Sequence, residues 1–187
     1  MNVNIKRLNE NAVIPQYAKA GDSGFDLVAT KDVIIDPGET AKVPIGLAFE
    51  LPDGYELQVR PRSGISSKTK MRVQLGTIDS GYIGEIAVIV DNIAPSGMDI
   101  DYYSIYGCDF EWGAYKIAKG TRIAQGIIAP VATATFTEVD TLSETERGEG
   151  GFGHTGVKAK KELRTESRKL SEYHTETTIY LDDKEAE

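Results

Sequence analysis

The sequence predicts a soluble, all-β fold, either a sandwich or a barrel, and three observations support this prediction. Up to about residue 140, short runs rich in β-branched and aromatic residues alternate with turns of glycine, proline and aspartate. The segment VIIDPGETAKVPIGLAFELPDGYELQVRP at 33–61 predicts strand, turn, strand, turn and strand, a spacing typical of sandwiches and barrels. The longest apolar runs, such as IAVIV at 86–90, are far shorter than the ~20 residues that a membrane helix needs.

Within that pattern, three segments predict individual elements. The segment SGISSKTKM at 63–71 predicts a short helix, which Ser63 would cap and whose free amides would face outward. VQLGTIDSGYIGEIAVIV at 73–90 predicts a hairpin whose turn carries glycine and aspartate. Strand character resumes in GTRIAQGIIAPV at 120–131.

The strand pattern is interrupted between Pro95 and about Tyr115, and we interpret residues 95–113 as an insertion. Aromatic residues crowd this stretch without a helical or strand period: Tyr102, Tyr103, Tyr106, Phe110, Trp112 and Tyr115. Two interpretations stay open, namely rings packed against the barrel wall or a protein-partner site at 95–115. Nearby acidic residues would favour a basic partner such as a DNA-binding regulator: Asp99, Asp101, Asp109 and Glu111.

The C-terminal part of the sequence changes character twice. RGEGGFGHTG at 147–156 combines many glycines with one arginine and one phenylalanine, as in a lid that contacts phosphate and stacks on a base. Beyond Gly156 the sequence is charged and helix-prone, with Leu163, Leu170 and Tyr173 near one face. This predicts a partly helical extension.

Length, charge and cysteine content limit the function classes. The 187 residues suffice for one cored domain, which we divide into a β-barrel at 1–146, a glycine-rich arm at 147–157 and a charged extension at 158–187. The net charge of −8 disfavours nucleic-acid binding, although a few arginines and amides could still hold a small anionic substrate. A single cysteine and the lack of an apolar leader favour a reducing, cytoplasmic setting, the host cytoplasm if a phage encodes the chain.

Five short stretches together resemble the five motifs of the homotrimeric, all-β dUTPases, in particular the insert-containing dUTPases of phages of Gram-positive bacteria. In chain order they are AGDSGFDL (20–27), PRSGISSK (61–68), GTIDSGYIGEI (76–86), GTRIAQGIIAPV (120–131) and RGEGGFGHTG (147–156). With the strands between them they cover nearly all of residues 3–156 except the insertion. The resemblance implies a β-barrel or jelly-roll with one short helix, hydrolysis of dUTP to dUMP and pyrophosphate, Mg²⁺ as cofactor, and a homotrimer.

The resemblance assigns the central chemistry to the motif at 76–86. Asp79 matches the family's catalytic aspartate, which activates water for attack at the α-phosphorus. Tyr82 matches the tyrosine beneath the deoxyribose, whose ring leaves no room for a 2′-hydroxyl. The backbone of this segment, with Gly76 and Ile78, would read uracil by mimicking a pairing base.

Phosphate contacts are implied for two further motifs. Ser63 and Gly64 would hold phosphates at a helix N-terminus, with Arg62 adding charge. Gln125 matches the family's phosphate-side glutamine, and Asp26 an aspartate that orients water around the metal. Because no His, Asp and Glu cluster has the spacing of metal ligands, Mg²⁺ is expected to be coordinated by the triphosphate, with waters completing its shell.

The glycine-rich arm resembles a mobile segment that closes over a neighbouring subunit's site. Arg147 would contact the γ-phosphate and Phe152 would stack on uracil. Gly153 and Thr155 complete the implied binding set. Thr155 would supply a phosphate-side hydroxyl, because this chain has His154 where the family often has serine.

One departure concerns side-chain contact with uracil, and two alternative functions are weighed against the dUTPase. Val73 stands where asparagine is common, six residues before the catalytic position, and Gln74 is the candidate replacement. The related dCTP deaminases need a glutamate ten residues after their aspartate, and the apolar Ile89 at that position of this chain disfavours the deaminase alternative. The other alternative is a dUTPase-like scaffold that captures a repressor through the insertion. The complete catalytic set favours the enzyme.

Overall fold

The structure, a computed structural model, describes residues 1–95, 108–111, 113–151, 154, 164–171 and 174–180. Within them lie fourteen strands and one short helix, and the all-β prediction is confirmed. No helix in these ranges is long and apolar enough to cross a membrane. The elements are β1 (Asn4–Arg7), β2 (Phe25–Val28), β3 (Val33–Ile35), β4 (Thr40–Pro44), β5 (Leu47–Glu50), β6 (Tyr55–Pro61), α1 (Ser63–Lys68), β7 (Met71–Val73), β8 (Gly76–Ile78), β9 (Ala87–Asn92), β10 (Cys108–Glu111), β11 (Ala114–Ile117), β12 (Arg122–Pro130), β13 (Arg164–Ser171) and β14 (His174–Tyr180).

The chain divides into two units, Met1–Thr135 and Phe136–Glu187. In the first unit the strands pair in the orders β2-β12-β6-β8, β4-β9-β7, β10-β11-β3 and β1-β5, all antiparallel. The turns predicted between residues 33 and 61 form at Gly38 and Gly54, whose φ angles of 83° and 78° favour glycine. In the second unit β13 pairs with β14.

The core of the first unit forms where the strands alternate buried and exposed residues. In β9, Val88, Val90 and Asn92 point inward. Phe25 stacks on Phe49 with ring centroids 6.1 Å apart. A Cβ at Gly126 would lie only 2.5 Å from the Phe25 ring, so a glycine at this point of β12 permits that packing.

Asn92 ties β9 to β3 and to the turn between β10 and β11, and is itself 1% exposed. Its Nδ2 donates to the carbonyl oxygens of Ile35 at 3.0 Å and Gly113 at 2.7 Å, and its Oδ1 accepts from the Ala94 amide at 3.0 Å. Because a buried amide without partners would be costly, this satisfied side chain fixes the turn between β10 and β11 against the core.

The hairpin predicted over 73–90 forms only at its base. β7 pairs with β9, but β8 crosses to β6 in the other sheet, with Gly76 opposite Val59. A Cβ at Gly76 would come within 3.2 Å of the Val59 Cβ. Glycine therefore allows the close approach to β6, and the prediction of one simple hairpin was wrong.

The short helix predicted after Pro61 is present, but Ser63 does not cap it. Ser63 is the first helical residue, and the N-cap is Arg62, which makes no side-chain cap hydrogen bond. A guanidinium offers only donors, whereas an N-cap must accept hydrogen bonds from the first amides. The amides of Ile65 and Ser66 instead donate to the Arg62 carbonyl oxygen.

The C-terminal extension forms strands where the sequence pattern predicted helix. β13 and β14 pair in antiparallel register, for example Thr165 with Ile179. The second strand, HTETTIY, is rich in β-branched residues, which favour strands. The strand preference of these residues outweighs the three apolar residues on which the helix prediction rested, Leu163, Leu170 and Tyr173. Within the stretch interpreted as an insertion, Cys108–Glu111 forms β10, which pairs with β11.

Candidate active site

The loop from Asp79 to Glu85 borders a pocket of about 290 Å³. The loop begins with a turn in which the Tyr82 amide donates to the Asp79 carbonyl oxygen at 3.0 Å. Asp79 is exposed, so its carboxylate is open to water. Four predicted site residues line the pocket, together with Gln74, which follows β7, and Ile89 of β9: Gly76, Ile78, Asp79 and Tyr82.

Hydrogen bonds hold the far end of this loop in place. The Tyr82 hydroxyl donates to the Glu85 carbonyl oxygen at 3.0 Å. The Glu85 carboxylate accepts from the Gly46 amide at 3.1 Å through Oε1. The Tyr82 ring, 48% exposed, therefore has a defined position at the pocket although it is not buried.

A second group of predicted site residues gathers around Asp26. Its Oδ1 lies 2.9 Å from Nε of Arg62, and its Oδ2 lies 3.0 Å from Nη1 of Arg122. Nη1 of Arg62 also donates to the Arg122 carbonyl oxygen at 2.9 Å. Two guanidinium groups against one carboxylate leave a local excess of positive charge in an acidic protein, which suits a polyphosphate.

Gln125 belongs to the same group because β12 is the central strand between β2 and β6. It lies opposite Asp26 on one side and Arg60 on the other. Its Nε2 donates to the Pro61 carbonyl oxygen at 2.9 Å, immediately before Arg62. This bond links Gln125 to the segment that enters α1.

The beginning of α1 carries Ser63, which is exposed, and Gly64. In an α-helix the first amides have no intrahelical acceptor. Arg72 holds the other end of the segment by donating to the carbonyl oxygens of Thr69 at 3.0 Å and Met71 at 2.8 Å. Ser63 and Gly64 directly follow Arg62, the N-cap residue whose side chain pairs with Asp26.

The predicted arm residues are described only in part. Nε of Arg147 donates to the Gly150 carbonyl oxygen at 2.9 Å, and His154 is exposed. Phe152, Gly153 and Thr155 lie outside the described residues. Within the described ranges the predicted residues therefore fall into a pocket group, a group around Asp26, and Arg147. Arg62, Ser63 and Gln125 do not line the pocket.

Sequence reasoning missed Arg122 and Glu85 as site residues. Both stand inside motifs that were recognised, GTRIAQG and GYIGEI. Only the pairing of Arg122 with Asp26 and of Glu85 with Gly46 shows their part in the site.

The carboxylates and histidines of the described ranges do not fit a protein-held metal. No group of three or more His, Cys, Asp or Glu side chains there is close enough to hold one. The carboxylate of Asp26, the acidic residue of the first motif, is occupied by two arginines.

Sequence comparison decides the family. The sequence profile described as dUTPase matches residues 10–104 and 110–156. The deoxyuridine 5′-triphosphate nucleotidohydrolase of Nautilia profundicola is 46% identical over 158 residues, which cover 83% of this chain and 99% of that protein. The chain belongs to the dUTPase family. A dUTPase of Alkaliphilus metalliredigens is 43% identical and covers 84% of the chain.

Solved dUTPase structures share the fold. The Staphylococcus bacteriophage 80alpha dUTPase with dUpNHpp superposes with a TM-score of 0.76 at 32% identity, covering 83% of this chain and 99% of that one. A phage phi11 dUTPase, described as coordinating a structural Mg(II) ion, gives a TM-score of 0.68 at 27% identity. The prediction of a dUTPase-like barrel related to phage dUTPases is confirmed.

Between residues 10 and 156 the dUTPase profile leaves only 105–109 unmatched. These five residues lie inside the stretch 95–113 that we interpret as an insertion.

Proposed function

We infer that this chain hydrolyses dUTP to dUMP and pyrophosphate. The observation that carries this inference is the pocket in which the Asp79–Glu85 loop presents an exposed carboxylate beside an ordered tyrosine. Membership in the dUTPase family supports it. Ile89 on the same pocket is apolar and offers no acid or base for deamination of cytosine.

In the proposed reaction Asp79 orients a water molecule and accepts its proton. The water oxygen bonds to the α-phosphorus while the bond from that phosphorus to the oxygen bridging toward the β-phosphorus breaks, and pyrophosphate leaves with the electron pair. A positioned carboxylate is well suited to activate water in this way. Charge that builds on the phosphates needs donors aimed at it.

We assign base and sugar recognition to the rest of the pocket. The Tyr82 ring forms the surface beneath the deoxyribose, where a 2′-hydroxyl would collide. The backbone at Gly76 and Ile78 meets the edge of uracil. The Gln74 side chain lines the pocket too, and its Nε2 donates to Asp91, so the amide is held rather than free to rotate.

We assign the phosphates to the group around Asp26. Arg62, the amides of Ser63 and Gly64, and Gln125 are the proposed contacts. Asp26 would hold Arg62 in place through the 2.9 Å ion pair and orient water near the metal. Magnesium would come to the site on the triphosphate, with waters completing its shell, and it would supply positive charge between the phosphates.

We propose a homotrimer whose sites are shared between subunits. The phosphate-side residues of one chain do not line its own pocket, and Leu75 and Ile83 stand exposed beside that pocket, as residues covered by another copy would. In this arrangement the arm of a neighbouring chain brings Arg147 to the γ-phosphate and Phe152 to uracil, with Gly153 and Thr155 on the phosphates.

A protein-partner surface at 95–115 is a second proposal. The phage 80alpha dUTPase is described as controlling the transfer of virulence genes, and a basic, repressor-like partner would suit the acidic stretch here. Tyr115 is 8% exposed, which favours packing for that ring. Tyr102, Tyr103, Tyr106 and Trp112 lie outside the described residues. Replacing 96–107 by a Gly-Ser bridge should leave dUTP hydrolysis intact on either interpretation.

The test of the proposed function is pyrophosphate release from dUTP, dCTP, dTTP and UTP by the purified protein. We expect efficient release from dUTP alone. Asp79→Asn should lower kcat by more than about tenfold, equivalent to ~1.4 kcal/mol, yet still bind dUpNHpp. Equal pyrophosphate release from dCTP, or deamination of dCTP to dUTP, would contradict the assignment. Asp53→Asn, on an exposed turn residue, is the matched control.

A further inference from the structure

The ring of Tyr82 lies directly over Gly84. A Cβ at Gly84 would be 2.5 Å from the Tyr82 hydroxyl oxygen, 2.6 Å from Cζ and 3.1 Å from Cε2. Gly84 does not have a positive φ, so its backbone is open to any residue and the constraint is steric. Because the tyrosine ring is half-exposed and sits at the end of a rotatable side chain, the ring would move rather than the backbone.

Glu85 holds the same ring from the next position along the chain. Its carbonyl oxygen accepts a hydrogen bond from the Tyr82 hydroxyl, and its carboxylate accepts one from the Gly46 amide. Gly46 is itself fixed, because a Cβ there would meet Asn9 at 2.8 Å and its carbonyl oxygen accepts the Leu8 amide at 2.9 Å. The acceptor for the tyrosine hydroxyl is thus anchored to a rigid part of the first unit.

We propose that Gly84 and Glu85 are the positioning residues that set sugar specificity. The missing side chain at Gly84 lets the Tyr82 ring lie against the loop. The Glu85 carbonyl oxygen fixes the hydroxyl end of that ring. Together they determine whether the ring leaves room for a 2′-hydroxyl. This inference rests on the proposed function, because it assumes that the ring lies beneath the sugar of a uridine nucleotide.

The loop offers a matched control at Gly81. A Cβ at Gly81 meets nothing within 4 Å, and Gly81 also lacks a positive φ. Gly81→Ala and Gly84→Ala are thus the same substitution in the same loop, and only the second meets the ring. Glu85→Ala removes the anchor to Gly46, whereas Glu85→Gln keeps an oxygen that can accept the amide.

The experiment measures kcat/KM for dUTP and for UTP, together with calorimetric affinities for dUMP and UMP. Gly84→Ala should lower the dUTP:UTP ratio of kcat/KM by about tenfold or more, mainly through KM for dUTP. The dUMP:UMP affinity ratio should fall in parallel, while Gly81→Ala keeps both ratios. Glu85→Ala should lower them, and Glu85→Gln should restore most of the loss.

The outcomes separate this inference from the function on which it rests. A wild-type protein that does not hydrolyse dUTP overturns the proposed function, and this inference with it. A wild-type protein that prefers dUTP, with unchanged ratios in a folded Gly84→Ala variant, overturns this inference alone. If thermal unfolding shows that Gly84→Ala does not fold, the ratios are measured on Glu85→Ala, where unchanged values overturn it equally.

Discussion

The carboxylate of Asp26 in β2 pairs with the guanidinium of Arg62, the N-cap residue of α1, and Nε of Arg62 lies 2.9 Å from Oδ1 of Asp26. Arg122 approaches the second carboxylate oxygen at 3.0 Å. Neutralising Asp26 should therefore weaken the hold on both guanidinium groups, although Arg62 keeps its hydrogen bond to the Arg122 carbonyl oxygen.

Asp26→Asn should raise KM for dUTP several-fold more than it lowers kcat, because an amide accepts a weaker hydrogen bond and holds Arg62 less firmly. Steady-state kinetics at two salt concentrations measure the effect. Asp32→Asn is the matched control, since Asp32 also forms an exposed ion pair, with Lys116 at 3.1 Å. An unchanged KM in Asp26→Asn would show that Arg62 does not need this partner.

Shared sites should allow two impaired variants to restore one another. We expect Asp79→Asn to be inactive and Arg147→Ala to bind dUTP weakly. Subunits of both, unfolded and refolded together in equal amounts, should assemble trimers in which about a quarter of the sites combine an intact Asp79 with an intact Arg147. Activity of the mixture is compared with the mean of the two parents refolded separately. A mixture that only equals this mean would place both residues of a site on one chain.

The order of elements could be predicted from local sequence, and the resemblance to the dUTPase motifs implied most of the candidate site. Glycine, proline and aspartate mark the turns around the strands at 33–61, and the motifs contain the residues that the structure gathers near the pocket and near Asp26. Contacts between distant residues could not be predicted in this way. Glu85 and Gly46 are 39 residues apart, and Asp26 and Arg122 are 96 apart.

The wrong predictions also have a physical explanation. A period of 3.6 judged from three apolar residues was weaker evidence than the β-branched residues of the segment at 174–180. The partner of β8 is β6 rather than β9 because Gly76 permits close contact with Val59, and nothing in the local pattern reveals that choice.

Removal of the C-terminal extension should leave catalysis in place. The two strands of the extension pair with one another in the described residues, and the implied catalytic set ends before Val157. A chain ending at Val157 should keep kcat for dUTP within about three-fold of the full chain, a change of ~0.7 kcal/mol or less in the barrier. Loss of activity in a truncated chain that still folds would show that the extension orders the arm.

Acid should weaken the contribution of Asp32 to stability. A hydrogen bond from the Lys119 amide at 2.8 Å holds the pKa of Asp32 below its usual value of 3.8, and the Lys116 side chain, as the second cause, lowers it further. The folded state thus favours the charged carboxylate, so the contribution is full above pH 3.8 and is lost as the pH falls through the lowered pKa.

Urea unfolding of the wild type and of Asp32→Asn across the acid range measures this effect. The variant should be slightly less stable at neutral pH, and the difference should close in acid. A difference that stays constant with pH would contradict the assignment of the ion pair.

Water attack at the α-phosphorus, activated by Asp79, is the central claim, and isotope transfer tests it most directly. In a single turnover of dUTP in water enriched in oxygen-18, mass spectrometry of both products shows which phosphorus received the water oxygen. We predict one labelled oxygen in dUMP and none in pyrophosphate. Label in pyrophosphate with unlabelled dUMP would place the attack on the β-phosphorus and contradict the mechanism.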